Sequence, residues 1–304
     1  MQKLRVLFSF FVIYTVWGST YLAILWGIAS IPPFLLAGLR FFLAGMLLFF
    51  VLQRGAKRVS KKAFKVATIT GILLIGLGNG MVTLAELKIA SSTAALWIAT
   101  VPIWVLLLNW KFFEKRQPHW LELAGGVLGV AGIALLPFAT GGSAAVPFDG
   151  PNTFLLLVAA ISWSVASLYQ RSANLKESAL QVSGVQMIMG GLFLLVLATL
   201  QGDWLKLWHS TVELRSLLAF VYLIFFGAIL GFTSYSWLIK NVAPQKVTTY
   251  ALVNPLIALL LGIFLAGEKV TPLTWLVAGL VIAGVALVLL GPTRVKKSKA
   301  KGKR

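Results

Sequence analysis

Residues 214–239 read LRSLLAFVYLIFFGAILGFTSYSWLI, a run of 26 residues with one charge, Arg215. A helix needs ~20 mostly apolar residues to cross a bilayer, and a buried helix in a soluble domain is usually shorter. This stretch therefore reads as a membrane span, and charges, Pro and Gly bound nine more like it. The ten segments run approximately over 6–27, 32–53, 64–85, 91–111, 119–138, 152–171, 179–201, 214–239, 245–267 and 272–291. The first opens behind Lys3 and Arg5 as a signal peptide would, but it is long, holds Trp17 and Tyr21, and precedes nine similar runs, so it is read as a retained helix. The fold class expected is all-α integral membrane, with ten transmembrane helices.

The composition agrees. Of 304 residues, 59% are hydrophobic and 12% charged, about half the usual charged share, so a soluble enzyme and a disordered chain are both excluded. Lys and Arg number 27 against 8 acidic residues. With the N-terminus inside, 22 of the basic residues fall in inner segments and 4 (Lys88, Lys206, Arg215, Lys269) in outer ones, which orients both termini to the cytoplasm. The tail Lys296 to Arg304 then fixes orientation and meets anionic lipid rather than nucleic acid.

The chain repeats itself. Pro102 matches Pro255, Glu114 matches Glu268, Pro118 matches Pro272 and Trp120 matches Trp275, at offsets of 153 to 155 residues. Trp17 matches Trp163 and Arg40 matches Gln186, both at 146. Five helices per copy is an odd number, so the second copy enters from the opposite side. Inverted repeats of this kind form central cavities in secondary transporters. The organisation expected is a first repeat over 1–140, an extracytoplasmic linker over 141–151, a second repeat over 152–291 and a basic cytoplasmic tail over 292–304.

Several motifs also resemble a known family. They are Val16-Trp17-Gly18-Ser19-Thr20-Tyr21, Pro32-Pro33 with Ala37-Gly38-Leu39-Arg40-Phe41, Ser91 to Leu96 with Pro102, Asn254-Pro255, Gly267-Glu268 and Ala283-Gly284-Val285-Ala286-Leu287. The chain is similar over residues 8–291 to the EamA family of the drug/metabolite transporter superfamily, in particular its ten-helix YedA-like exporters. The resemblance implies a central cavity shared by the halves, cytoplasmic termini, and export of amino acids or other small metabolites across the plasma (cell inner) membrane.

Polar groups at membrane depth are costly and mark candidate function. Arg40 lies seven residues past Pro33, ~10 Å below the outer boundary at 1.5 Å per residue. Unpaired, its charge costs on the order of 2.5–3.5 kcal/mol. It either clamps to Glu86 or faces a substrate carboxylate. Asn79, Thr83 and Glu86 share one face of helix 3, and Glu86 could take a substrate amine or a proton, or sit solvated beside Lys88. Thr93, Trp97, Thr100 and Trp104 follow helical spacing on helix 4, with Tyr250 aligned to Trp97 and Asn254 one turn on. Together with Trp17, Tyr21 and Trp163 these are the candidate cavity residues, and lipid contact or packing is the plain alternative for the aromatics. Trp26, Trp110, Trp120, Trp204, Trp208 and Trp275 sit near helix ends as interfacial anchors. Pro102 and Pro255, expected inside helices 4 and 9, are candidate kinks or hinges. Glu114 and Glu268 are expected to pair with their neighbouring lysines at the interface.

The absences are informative in sequence. There is no Cys, no His cluster, no metal motif and no Gly-rich phosphate loop, so neither cofactor nor metal is expected. An intramembrane enzyme would need a base beside Ser19, Ser164, Ser234 or Ser236, and no His is near any of them. The expectation is not an enzyme but a secondary transporter exporting a small amphipathic metabolite, an amino acid or related compound, by alternating access. Its partners are that small-molecule substrate and the lipid bilayer, with the coupling ion left open and nucleic acid excluded. A facilitator or exchanger of a sugar-like or phosphorylated solute, and a non-transporting scaffold, are the alternatives.

Overall fold

The computed structural model describes residues 2–51, 58–88, 97–115, 117–135, 150–266 and 272–292, with Ala94 and Phe138. Among these the chain is helical throughout. The first half gives α1 (Gln2–Ile28), α2 (Pro33–Phe50), α3 (Lys61–Ala85), α4 (Val101–Phe112) and α5 (Trp120–Ala134). The second gives α6 (Gly150–Ser172), α7 (Ala179–Leu200), α8 (Leu214–Asn241), α9 (Tyr250–Ala266) and α10 (Pro272–Leu290). Six of them, α1, α2, α3, α6, α7 and α8, are each long and apolar enough to cross a membrane. Large apolar side chains such as Phe11, Phe154, Val196, Phe225 and Ile282 are exposed along the helices, as expected of faces that meet lipid rather than water.

Local chemistry sets the helix starts. Pro33 opens α2 in the first turn, where its missing N–H is no loss. The Ser60 hydroxyl accepts the Ala63 N–H (3.2 Å) and caps α3. His119 with Glu122, and Ser178 with Gln181, form reciprocal capping boxes on α5 and α7. His119 thus has a capping task.

The packing pairs equivalent helices of the two halves. The closest contacts are α2 with α7 and α5 with α10. Meanwhile α1 lies mainly against α8 and α9, and α6 against α3 and α4, so the first helix of each half is embraced by the other half. The α5–α10 crossing depends on small residues: a Cβ at Gly284 would meet the Gly129 backbone nitrogen at 2.7 Å. A second correspondence concerns the helical winding. α3 becomes π-helical over Ile72–Asn79 and α8 over Leu223–Phe232, starting 151 residues apart. Each π-segment loosens the winding and shifts the side chains that follow it, and such segments are frequent at functional sites.

Two expectations about prolines resolve differently. Pro255 lies inside α9 as expected. Pro102 does not interrupt a continuous helix: the chain turns at Ala99 and Thr100, and Pro102 occupies the first turn of α4. A proline there needs no N–H partner, so the break precedes it instead of kinking at it. Thr93 and Glu268 lie outside the described residues. Glu114 is engaged by Asn109, whose Nδ2 donates to its Oε2 (3.3 Å). Of the interfacial tryptophans, Trp110, Trp120, Trp204, Trp208 and Trp275 are exposed, whereas Trp26 is half-buried with the Arg215 guanidinium 4.1 Å from its ring.

Candidate functional site

Where the halves meet, helices from both enclose a cavity of about 70 Å³. That is room for on the order of five waters. α1 supplies Trp17, Thr20, Tyr21 and Ile24; α2 supplies Arg40 and Phe41; α3 supplies Gly78, Asn79 and Val82. From the second half come Trp163 on α6, Gly227 and Phe232 on α8, and Tyr250 and Asn254 on α9. Ile98 and Val101, on either side of the turn before α4, complete the wall. The π-helical segments of α3 and α8 thus reach the cavity.

The floor is aromatic. Trp17 is central, with its ring centroid 4.9 Å from Tyr250, 5.2 Å from Tyr235, 5.7 Å from Trp163 and 6.0 Å from Phe232. The geometries are edge-on or tilted, as ring quadrupoles prefer. Polar ends are tied off: Trp17 Nε1 donates to the Gly227 carbonyl (3.0 Å), and Trp163 Nε1 donates to the Tyr235 hydroxyl (3.0 Å). Gly231 makes room for this arrangement, since a Cβ there would lie 2.8 Å from Cδ1 of Trp17.

The opposite wall carries the charge. Arg40 is 3% exposed and donates through Nη2 to Asn79 Oδ1. Its guanidinium lies 4.7 Å from the centroid of the Phe41 ring, a cation–π contact. Its buried Nε has no hydrogen-bond partner among the described residues. Glu86 is 6% exposed, and neither carboxylate oxygen accepts a hydrogen bond from the described residues. Arg40 and Tyr21 are its electrostatic neighbours. Arg40 and Glu86 are thus the electrostatic neighbours a pair requires, while the hydrogen bond of Arg40 among the described residues goes to Asn79. The physical reason is reach: the π-helical stretch ending at Asn79 brings that side chain to the guanidinium, while Glu86 lies two turns further along α3.

The residues singled out from sequence divide. Trp17, Tyr21, Arg40, Asn79, Trp163, Tyr250 and Asn254 come together on the cavity. Thr83, Glu86, Trp97, Thr100 and Trp104 stand off its wall. Thr83 donates to the Asn79 carbonyl (2.9 Å). Trp97 packs with Val82, Ala85, Leu156 and Ala159, between α3 and α6. Thr100 donates to the Trp97 carbonyl (2.6 Å) and accepts from Trp104 Nε1 (3.2 Å), so these polar groups satisfy one another. The turn at Ala99 and Thr100 divides what the spacing presents as one continuous stripe. Phe41, Phe232, Thr20 and Tyr235 were not singled out. The spacing held one usable signal: Phe232, Tyr235 and Ser236 follow Gly231 in an apolar span, where a tyrosine hydroxyl needs a partner.

A bundle of apolar helices closing a cavity between two equivalent sets of helices is the body of a membrane transporter. The chain belongs to the EamA-like transporter family, which matches it twice, over residues 4–138 and 152–290. It is 37% identical over 292 residues to the "uncharacterized inner membrane transporter YedA" of Escherichia coli (strain K12), covering 95% of this chain and 92% of that one. It is 25% identical to the "uncharacterized transporter YoaV" of Bacillus subtilis (strain 168), over 89% and 91% of the two chains. A crystal structure with 21% identity superposes with a TM-score of 0.77, covering 94% of this chain and 98% of the other, and so shares the fold.

Proposed function

We propose that this transporter exports a small amphipathic metabolite, an amino acid or related compound, across the inner membrane by alternating access. Both termini are cytoplasmic in this reading, and the two five-helix repeats, inverted with respect to each other, rock about the central cavity. The observation that carries the reading is Arg40. A guanidinium lines the cavity with a neutral hydrogen-bond partner, Asn79, among the described residues and Glu86 as an electrostatic neighbour, and its positive charge faces an incoming group. A solute carboxylate there makes a bidentate, charge-assisted contact. The aromatic floor of Trp17, Trp163, Phe232 and Tyr250 covers the solute's apolar part. Glu86, set back from the cavity wall beside Arg40, supplies the acidic side chain that would attract an ammonium group.

The alternation itself is supported by the packing, in which α1 and α6 each lie against helices of the opposite half. The test uses purified protein and a metabolite panel read by thermal stabilisation. A solute at 100-fold its Kd adds roughly 2.7 kcal/mol. Carboxylate-bearing amphipathic solutes should stabilise the protein, and Arg40→Gln should abolish their effect. Stabilisation by uncharged sugars alone, unaffected by Arg40→Gln, would reject the proposal.

A further inference from the structure

A second opening lies in the second half, at the end of α6 where the chain passes to α7. It leaves about 270 Å³ among Gln170, Arg171, Asn174, Glu177, Ser236 and Lys240. Its walls are polar where the central cavity's are aromatic. Gln170 Nε2 donates to the Ser236 hydroxyl (2.7 Å), and Gln186 Nε2 donates both to Gln170 Oε1 (2.9 Å) and to the Thr70 hydroxyl (2.8 Å). The Gln186 side-chain carbonyl oxygen is buried without a hydrogen-bond partner among the described residues. Three neutral side chains in sequence across α8, α6 and α7 thus lead inward from this opening, and the last has an acceptor to spare.

The opening and the central cavity are strung along the same two helices. On α6, Trp163 lines the cavity and Gln170 lines the second opening, with Ser167 between them. On α8, Phe232 lines the cavity and Ser236 the second opening, with Tyr235 between them. The seven residues from Trp163 to Gln170 span ~10 Å of helix, so one layer of side chains separates the two spaces. That layer is Tyr235 with Ser167. Tyr235 is fully buried, its hydroxyl is bonded to Ser167 Oγ and accepts from Trp163 Nε1, and its ring lies against Trp17, Phe232 and Tyr250. The π-helical segment of α8 ends at Phe232, three residues before Tyr235. The loosened winding therefore adjoins the Tyr235 layer.

We infer that Tyr235 is the gate of the transport path, and that the polar opening of Gln170 and Ser236 is a vestibule receiving the solute's polar end on the far side of that gate. The inference rests on the transport reading above and adds the route. Residues Arg171 and Lys240 at the vestibule rim are committed to closing it. Arg171 donates to the carbonyls of Ile239 and Lys240, and Lys240 donates to that of Glu177 (2.8 Å). The end of α8 and the loop after α6 are thereby bound to each other. Opening the path separates α6 from α8 at two levels, the Tyr235 layer and this rim.

The chain has no cysteine, so single cysteines report directly. Thr20→Cys marks the cavity and Asn174→Cys the vestibule, each exposed to an impermeant maleimide in right-side-out and inverted vesicles. With Tyr235 in place, the vestibule side labels Asn174→Cys and leaves Thr20→Cys protected. Adding Tyr235→Ala should open Thr20→Cys to reagent from the vestibule side. Tyr235→Phe, which keeps the ring and loses the hydrogen bonds, should raise that labelling by roughly tenfold. Unchanged protection of Thr20→Cys in Tyr235→Ala, with normal labelling of Asn174→Cys, would overturn the gate. Should Tyr235→Ala fail to insert, Tyr235→Phe combined with Ser167→Ala decides by the same readout, and unchanged protection there overturns it equally. Labelling needs no solute, so a failed gate leaves the solute reading standing, and a failed solute panel leaves the gate standing.

Discussion

Arg40 and Asn79 give the sharpest quantitative expectation. The guanidinium is nearly buried, and Asn79 Oδ1 is its hydrogen-bond partner among the described residues. A hydrogen bond to a charged group contributes ~1.5–3 kcal/mol net. Asn79→Ala should therefore lose about that much, because the desolvated charge is left without an acceptor. Arg40→Met keeps the apolar stem and removes the charge, so Asn79→Ala should cost far less in that background. The double-mutant cycle should show a coupling of ~1.5–3 kcal/mol, a factor of roughly ten to 150 in the unfolding equilibrium. Asn79→Asp provides the opposite sign: it puts a carboxylate in direct hydrogen-bond contact with Arg40, in addition to the neighbouring Glu86, so it should preserve or raise stability while cancelling the field offered to an anionic solute. The assay is reversible denaturation in detergent followed by tryptophan fluorescence, with ligand-induced stabilisation measured on the same variants. Additivity within ~0.5 kcal/mol would mean that the two side chains do not meet. In that case the accounts of Arg40 and of the π-helical reach of α3 would both fail.

Other outcomes are equally specific. Gly231→Ala drives a methyl group into the Trp17 indole and should cost ~1–3 kcal/mol, with weakened ligand stabilisation, in thermal unfolding. Gly284→Val meets the α5 backbone, which cannot yield like a side chain, and should sharply reduce the folded fraction seen by size-exclusion chromatography. The Ser60 hydrogen bond, with the Lys240 ammonium nearby, holds the Glu177 carboxyl below the usual carboxylate range against a slight opposing burial. A depressed folded pKa stabilises above the unfolded value, ~4.3, and this contribution fades as pH falls through the folded one. Glu177→Gln should therefore lower stability at neutral pH and flatten its acid dependence, and an unchanged denaturation profile from neutral to acid pH would contradict the contact with the Ser60 N–H. Cysteines at Lys61 and Lys115 should be shielded from an impermeant thiol reagent in intact cells while one at Lys206 reacts, and labelling at position 61 from outside would reverse the proposed orientation.

Much of the site was readable because of where polar groups are rare. In an apolar span every Arg, Asn or Tyr stands out, and Arg40, Asn79, Tyr250 and Asn254 were recognisable for that reason. Trp17 and Trp163 stood out through their matched positions in the two halves. Thr100 and Trp104 show the limit of that reasoning. Helical spacing assumes uniform winding, and the turn before α4 breaks it, so residues that share a face on paper bond to one another away from the cavity. The Arg40 surroundings show the same limit, since Glu86 is its electrostatic neighbour but Asn79 its hydrogen-bond partner among the described residues. On an ideal helix Glu86 has a compatible depth, but the π-helical stretch of α3 presents Asn79 instead.

Taken alone, the sequence determined the solvent. Long apolar runs and scarce charge leave the bilayer as the place where the hydrophobic surface can be satisfied, and helices as the way to pair every backbone amide there. The near-duplicate halves also announced the repetition. The tertiary structure decided which polar groups meet. That depends on the local winding of α3 and α8, on glycine contacts that let backbones touch, and on α1 and α6 crossing into the opposite half. Such choices turn on shifts of a few ångströms between helices distant in sequence, and no local pattern of residues encodes them. Tyr235 is the example: an ordinary tyrosine in an apolar run becomes, through contacts with Ser167, Trp163 and Trp17 from two other helices, a buried junction of α1, α6 and α8.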